Sequence, residues 1–194
     1  MKYVLVTPPE EEPITVDEAK LAARIDGTGE DTLLQTWLSA ARCEIDGASG
    51  ILGRAICTQT WDITYRQFYR RMDLPLPPLQ SVTSITYLDP HGDDQVLPDT
   101  EYRVINGGHG VSSIVPINGW PTALVDGGAV TIRIVCGYGD AADVPQLIKT
   151  WLLARVAGWY EQRSDISIGM PVSISPNIRR MLDPYRVIFD EGSL

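Results

Sequence analysis

The spacing of apolar and polar residues changes character several times along the chain. Thr15-Val16-Asp17-Glu18 matches the S/T-x-x-E pattern that caps a helix, with Pro13 just before it. A short helix is expected from there to about Ile25, with Ala19, Ala22 and Ala23 as small residues for close packing, and "DGTG" at 26–29 breaks it. Leu33, Leu34, Trp37, Leu38, Ala41, Ile45 and Ala48 then recur at three- and four-residue steps, which predicts a second helix over 31–49. Gly50 and Gly53 end it.

From about Ala55 the period becomes two. "ICTQTWDITYRQF" alternates, and further strands are expected at 82–88, 95–97, 102–105, 113–117 and 130–135, separated by Gly, Asn, Asp and Pro. The prolines at 75, 77 and 78 suit an extended edge segment, and "PHGDD" at 90–94 is a turn. Helical character returns at 144–162, which is apolar on most sides and includes Trp151, Trp159 and Tyr160. A helix with so narrow a polar strip lies in the centre of a core or is covered in part by another subunit. A loop is expected over 164–176 and a last short helix over 177–182, with "DPYRVIFDEGSL" closing the chain. The fold class is α+β: residues 1–54 and 141–194 form a helical core, and a compact antiparallel β unit, 55–140, is inserted between them.

Composition narrows the function. With 44% hydrophobic and 21% charged residues, the 194-residue chain can bury a real core. Its net charge is −9, and no segment is strongly basic, so tight wrapping of nucleic acid is disfavoured. Cys43, Cys57 and Cys136 show no metal-binding spacing and read as buried thiols of a reducing compartment. "MKYVLVTPPEEEP" is too short for a signal peptide. Cys136-Gly137-Tyr138-Gly139-Asp140 resembles a potassium-channel filter loop. The most apolar stretch, 144–160, falls short of the roughly 20 residues a spanning helix needs and carries Lys149 and Arg155. No membrane partner is expected, and the two glycines read as the sharp exit of a strand, with Pro145 opening the next helix.

Candidate chemistry is sparse. His91 in "DPHGDD" and His109 in "NGGHGV" lie in turns, without a nucleophile at a known spacing. His91 with Asp89, Asp93 and Asp94 is a conceivable metal cluster, but acids in a turn are usually just solvated. The glycine-rich "NGGHG" and "DGG" are not followed by a helix that could hold phosphate. No catalytic residue, metal or cofactor is expected.

Four ordered segments together resemble a family. They are "ITVDEAKLAARID"; "LPLPPLQSVTSITYLDPHGDDQVLPDTEYRV"; "VTIRIVCGYGDAADVPQLIKTWLLARVAGWYEQR"; and "ISPNIRRMLDPYRV". Taken in this order they are similar to the head–tail connector, or adaptor, proteins of long-tailed bacteriophages and related gene transfer particles. Residues 106–128 match nothing in that pattern. The resemblance implies a non-enzymatic virion protein that forms a ring, usually of twelve copies, beneath the portal at the head–tail junction, after synthesis in the host cytoplasm. The ring would extend the channel through which DNA passes without sequence-specific binding. Its implied partners are the portal protein, the stopper or tail-completion protein, and other copies of itself.

The residues agree with that implication at two places. The 144–160 helix has more apolar circumference than one small core needs, which a ring contact would bury. Trp151, Trp159 and Tyr160 are interface-anchoring types. The C-terminal segment carries Tyr185, Ile188 and Phe189, an apolar tail that wants a partner or a groove on its own domain. Arg155, Arg163 and Arg186 complete the expected subunit or portal interface. The alternative is a monomeric binding module whose β unit recognises a ligand or host surface.

Overall fold

The structure, a computed structural model, describes residues 1–124, 129–162, 178 and 180–187. The chain divides into two compact units, one of Met1–Glu10 with Cys57–Tyr138 and the other of Glu11–Ile56 with Gly139–Leu194.

The first unit is built from eight strands, with one short 3-10 turn at Asp99–Glu101, among its described residues. Its strands are β1 (Lys2–Thr7), β2 (Gln59–Tyr65), β3 (Met72–Leu74), β4 (Leu79–Leu88), β5 (Asp94–Val96), β6 (Tyr102–Ile105), β7 (Ser112–Pro116) and β8 (Val130–Cys136). They form a five-stranded sheet in the order β1-β2-β8-β4-β5 and a three-stranded sheet in the order β3-β7-β6. Every ladder is antiparallel. Period-two patterning sets the faces. Val130, Ile132, Ile134 and Cys136 of β8 are buried, as are Gln59, Ile63 and Tyr65 of β2. The intervening residues form a polar face, where Arg133 donates two 2.8 Å bonds to the Asp62 carboxylate opposite it. The Tyr65 hydroxyl reaches from β2 to donate to the Asp73 carbonyl of β3, and burial pushes its phenol up from the usual range.

One boundary is corrected here. The first ten residues belong to the β unit, not with the helices of 1–54, because Lys2–Thr7 pairs along β2. The proline segment follows an edge strand, β3, with Leu74, Pro75, Leu76 and Pro77 buried. The Gly-Tyr-Gly sequence is the strand exit it was expected to be. Gly137 sits at φ 119°, and a Cβ there would lie 2.3 Å from the Cys57 carbonyl oxygen. Its amide donates to Pro78 at 2.9 Å, and its carbonyl accepts from the Gln80 side chain at 3.0 Å.

The second unit holds α1 (Val16–Ala23), α2 (Asp31–Ile45) and α3 (Gln146–Glu161). Ala19, Leu34, Leu38, Ala41, Ile45, Ile148, Trp151, Leu152 and Val156 point into its core, each no more than 2% exposed. α2 stops at Ile45, short of the expected 49, although the apolar stripe continues to Ala48. The chain instead folds back, so closely that a Cβ on Gly50 would lie 2.4 Å from the Asp46 backbone. Of the expected last helix, Ile178 and Arg180 are helical; the expected loop at 164–176 lies outside the described residues.

α1 opens on a full capping box. The Thr15 hydroxyl accepts from the Glu18 amide at 3.2 Å, and the Glu18 carboxylate accepts from the Thr15 amide at 2.7 Å. The Thr15 amide, then its hydroxyl, hold the Glu18 carboxyl below the usual carboxylate range. A depressed folded-state pKa stabilises above the unfolded value and is lost as pH falls through the folded one. Thr15→Ala should therefore cost about 1 kcal/mol in denaturant unfolding near neutrality, and less in acid below Glu18's titration. A cost independent of pH would refute the coupling.

Candidate interface surfaces

A charged cluster organises the turn at 46–56. Arg42 bonds Glu12 at 2.8 Å and Asp46 at 2.9 Å, and the other Asp46 oxygen accepts from the Ile56 amide at 2.8 Å. Burial opposes the charge on Arg42, but the bonds from Glu12 and then Asp46 outweigh it and hold the guanidinium's pKa above its ordinary value. Arg54, only 4% exposed, donates through Nε to the Tyr185 carbonyl. The Val187 amide donates to Leu52 at 2.9 Å, and Leu182 is buried. Residues 182–187 thus dock on the 52–54 turn of their own unit.

The expected interface residues divide into several groups. Trp151 is 1% exposed and fills the unit's own core, which corrects its assignment to a surface. Arg155, Trp159 and Tyr160 come together against α2. Arg155 holds Glu44 with bonds of 2.8 and 3.0 Å and lies 4.7 Å over the Trp159 ring. Trp37 meets Trp159 and Tyr160 edge-on, at 6.4 and 6.5 Å. All three side chains remain half-buried, so each keeps some surface open. Tyr185 is half-buried and Arg186 is exposed. Arg163, Ile188 and Phe189 lie outside the described residues.

Other exposed apolar groups escaped the sequence reading. Tyr3, Val4, Leu5 and Val6 of β1 are 36–43% exposed, and all six residues of that strand are open to solvent. Val104 and Ile105 of β6, and Ile117 directly after β7, are 42–46% exposed. A visible signal was the apolar run Tyr3–Val6 bounded by Pro8-Pro9, a short-strand pattern.

The residues weighed for chemistry are turn and surface groups. Asp89 accepts from the amides of Asp93 and His91 and from the Gln95 side chain, which together hold its carboxyl below the usual range. His109 lies 5.7 Å from the Tyr138 ring. Among the described residues no group of three or more His, Cys, Asp or Glu could hold a metal ion, and no helix is long and apolar enough to cross a membrane. Cys57 and Cys136 are buried, but Cys43 is exposed, unlike the expected buried thiol.

Core and surface roles separate experimentally. Trp151→Ala should cost about 3–5 kcal/mol in denaturant unfolding. Arg186→Ala should stay within about 0.5 kcal/mol. Similar values for the two would contradict these assignments.

No protein-family model matches the chain, and no curated protein matches it. Solved structures do. The chain is similar to one in the virion of a native gene transfer agent (GTA) particle, at 19% identity and TM-score 0.80, over 100% of this chain and 99% of that one. It is similar to a chain in the neck of an empty GTA particle computed with C6 symmetry, at 20% identity and TM-score 0.79, with the same coverage. A chain in the neck of a native GTA particle computed with C12 symmetry follows at 18% identity and TM-score 0.72, again over 100% and 99%. The fold is therefore shared from end to end with chains of these particles.

Proposed function

We propose that this chain is a structural, non-enzymatic protein of a phage-like particle, a head–tail adaptor that forms a ring in the neck. The observation that carries the reading is the end-to-end likeness to GTA virion and neck chains. The C6 and C12 symmetry of those necks supports a ring, with twelve copies as the expected number. In this reading the ring sits beneath the portal, lengthens the DNA channel and offers a docking surface to the stopper or tail-completion protein. The chain reaches the particle from the host cytoplasm.

The physical features suit that role. Half-buried Arg155, Trp159, Tyr160 and Tyr185 and exposed Arg186 are the described part of a surface that neighbours would cover. Arg163, Ile188 and Phe189 belong to the same proposal. A net charge of −9 repels DNA phosphates, which suits a conduit past which duplex slides without sticking.

Particles produced without this protein should be DNA-filled heads lacking tails, beside free tails, when imaged by electron microscopy. Normal tailed, infectious particles from the deletion would refute the adaptor role.

A further inference from the structure

Resting on the ring reading, we infer that neighbouring copies join through their β units, the outer edge of β1 in one copy adding to the outer edge of β6 in the next. β1 is the last strand of its sheet and has a ladder partner on one side only. An edge of this kind presents unpaired backbone donors and acceptors, and proteins normally blunt it with charge, proline or a bulge. Here the bulge falls after Leu5, and the prolines follow Thr7. Lys2–Leu5 is left in unbroken register with Thr64, Ile63, Asp62 and Trp61, and Tyr3, Val4 and Leu5 are all exposed. That stretch is a template for another strand.

The other free edges of the described strands compete poorly. The first half of β4 carries two register shifts and the polar residues Gln80, Ser81, Thr83 and Ser84. β5 has three residues, begins at Asp94 and follows a turn with Asp89 and Asp93. β3 has three residues, two of them buried. β6 differs: its four residues stay in regular register with β7, and Val104 and Ile105 are exposed. The four regular residues of β1 match the four of β6 in length and in apolar character. Different patches on the two partners make a head-to-tail contact, the kind that closes into a ring, whereas β1 pairing with β1 would stop at a dimer.

The test uses particles carrying Cys43→Ser/Val4→Cys/Val104→Cys, treated with a short bismaleimide cross-linker and resolved by denaturing electrophoresis. A ladder from dimer to full ring is expected, and neither variant carrying only one of the two introduced cysteines should give it. Necks that contain the triple variant but yield no ladder would overturn the strand contact while leaving the ring intact. Dimers from Cys43→Ser/Val4→Cys alone would overturn it in favour of a symmetric pair. Wild-type protein gives a second reading, by hydrogen–deuterium exchange of free chain against isolated necks. Uptake over 2–5 and 102–105 should fall on assembly, and unchanged uptake at both would overturn the contact. Necks lacking this protein altogether would defeat the ring reading itself.

Discussion

The buried carboxylate of Asp46 is the constraint on which the helical unit turns. A charge taken out of water is costly unless bonds replace its hydration. Asp46, 8% exposed, receives Arg42 on one oxygen and the Ile56 amide on the other. Its demand for both partners explains why α2 ends at Ile45 while the apolar stripe runs on. It also fixes the chain at Ile56, where it leaves for the β unit. Arg54 extends the effect, because holding the Tyr185 carbonyl draws the segment before the C-terminus onto the same turn.

Aromatic residues on α3 serve two ends with one chemistry. Trp151 is sealed in the core, while Trp159, eight residues further on, packs edge-on against Trp37 and carries Arg155 over its face. The Arg155 pair with Glu44 ties α3 to α2 at that point. In the adaptor reading, a neighbour would meet side chains already fixed in place, so little side-chain entropy would be lost on contact.

Much of this was legible in the residues. The Thr15 capping box, the stripe of α2, the alternation of β8 and the glycine exit after it each rest on local geometry and came through. What failed depended on partners distant in the chain. β1 pairs with residues about sixty positions away, so its short run at the N-terminus carried no sign of a ladder. Trp151 and Trp159 look alike in a helix that is apolar nearly all round. Which one is enclosed depends on the packing of α1 and α2, not on α3's own period. Asp46 ended α2 through bonds that no periodicity records. The surface residues of α3 were found by type, whereas those of β1 and β6 needed the sheet order before they meant anything.

The pairing of Lys2–Thr7 with Gln59–Tyr65 also bears on biosynthesis. The greasy run leaves the ribosome before its mate, which is made only after all of α1 and α2. β8, which completes the other side of β2, comes some seventy residues later still. At translation speeds of roughly 5–20 residues per second, β1 waits several seconds without its sheet. Closure of the β unit therefore waits for β8, and during that interval the same run is open to premature strand pairing with other chains.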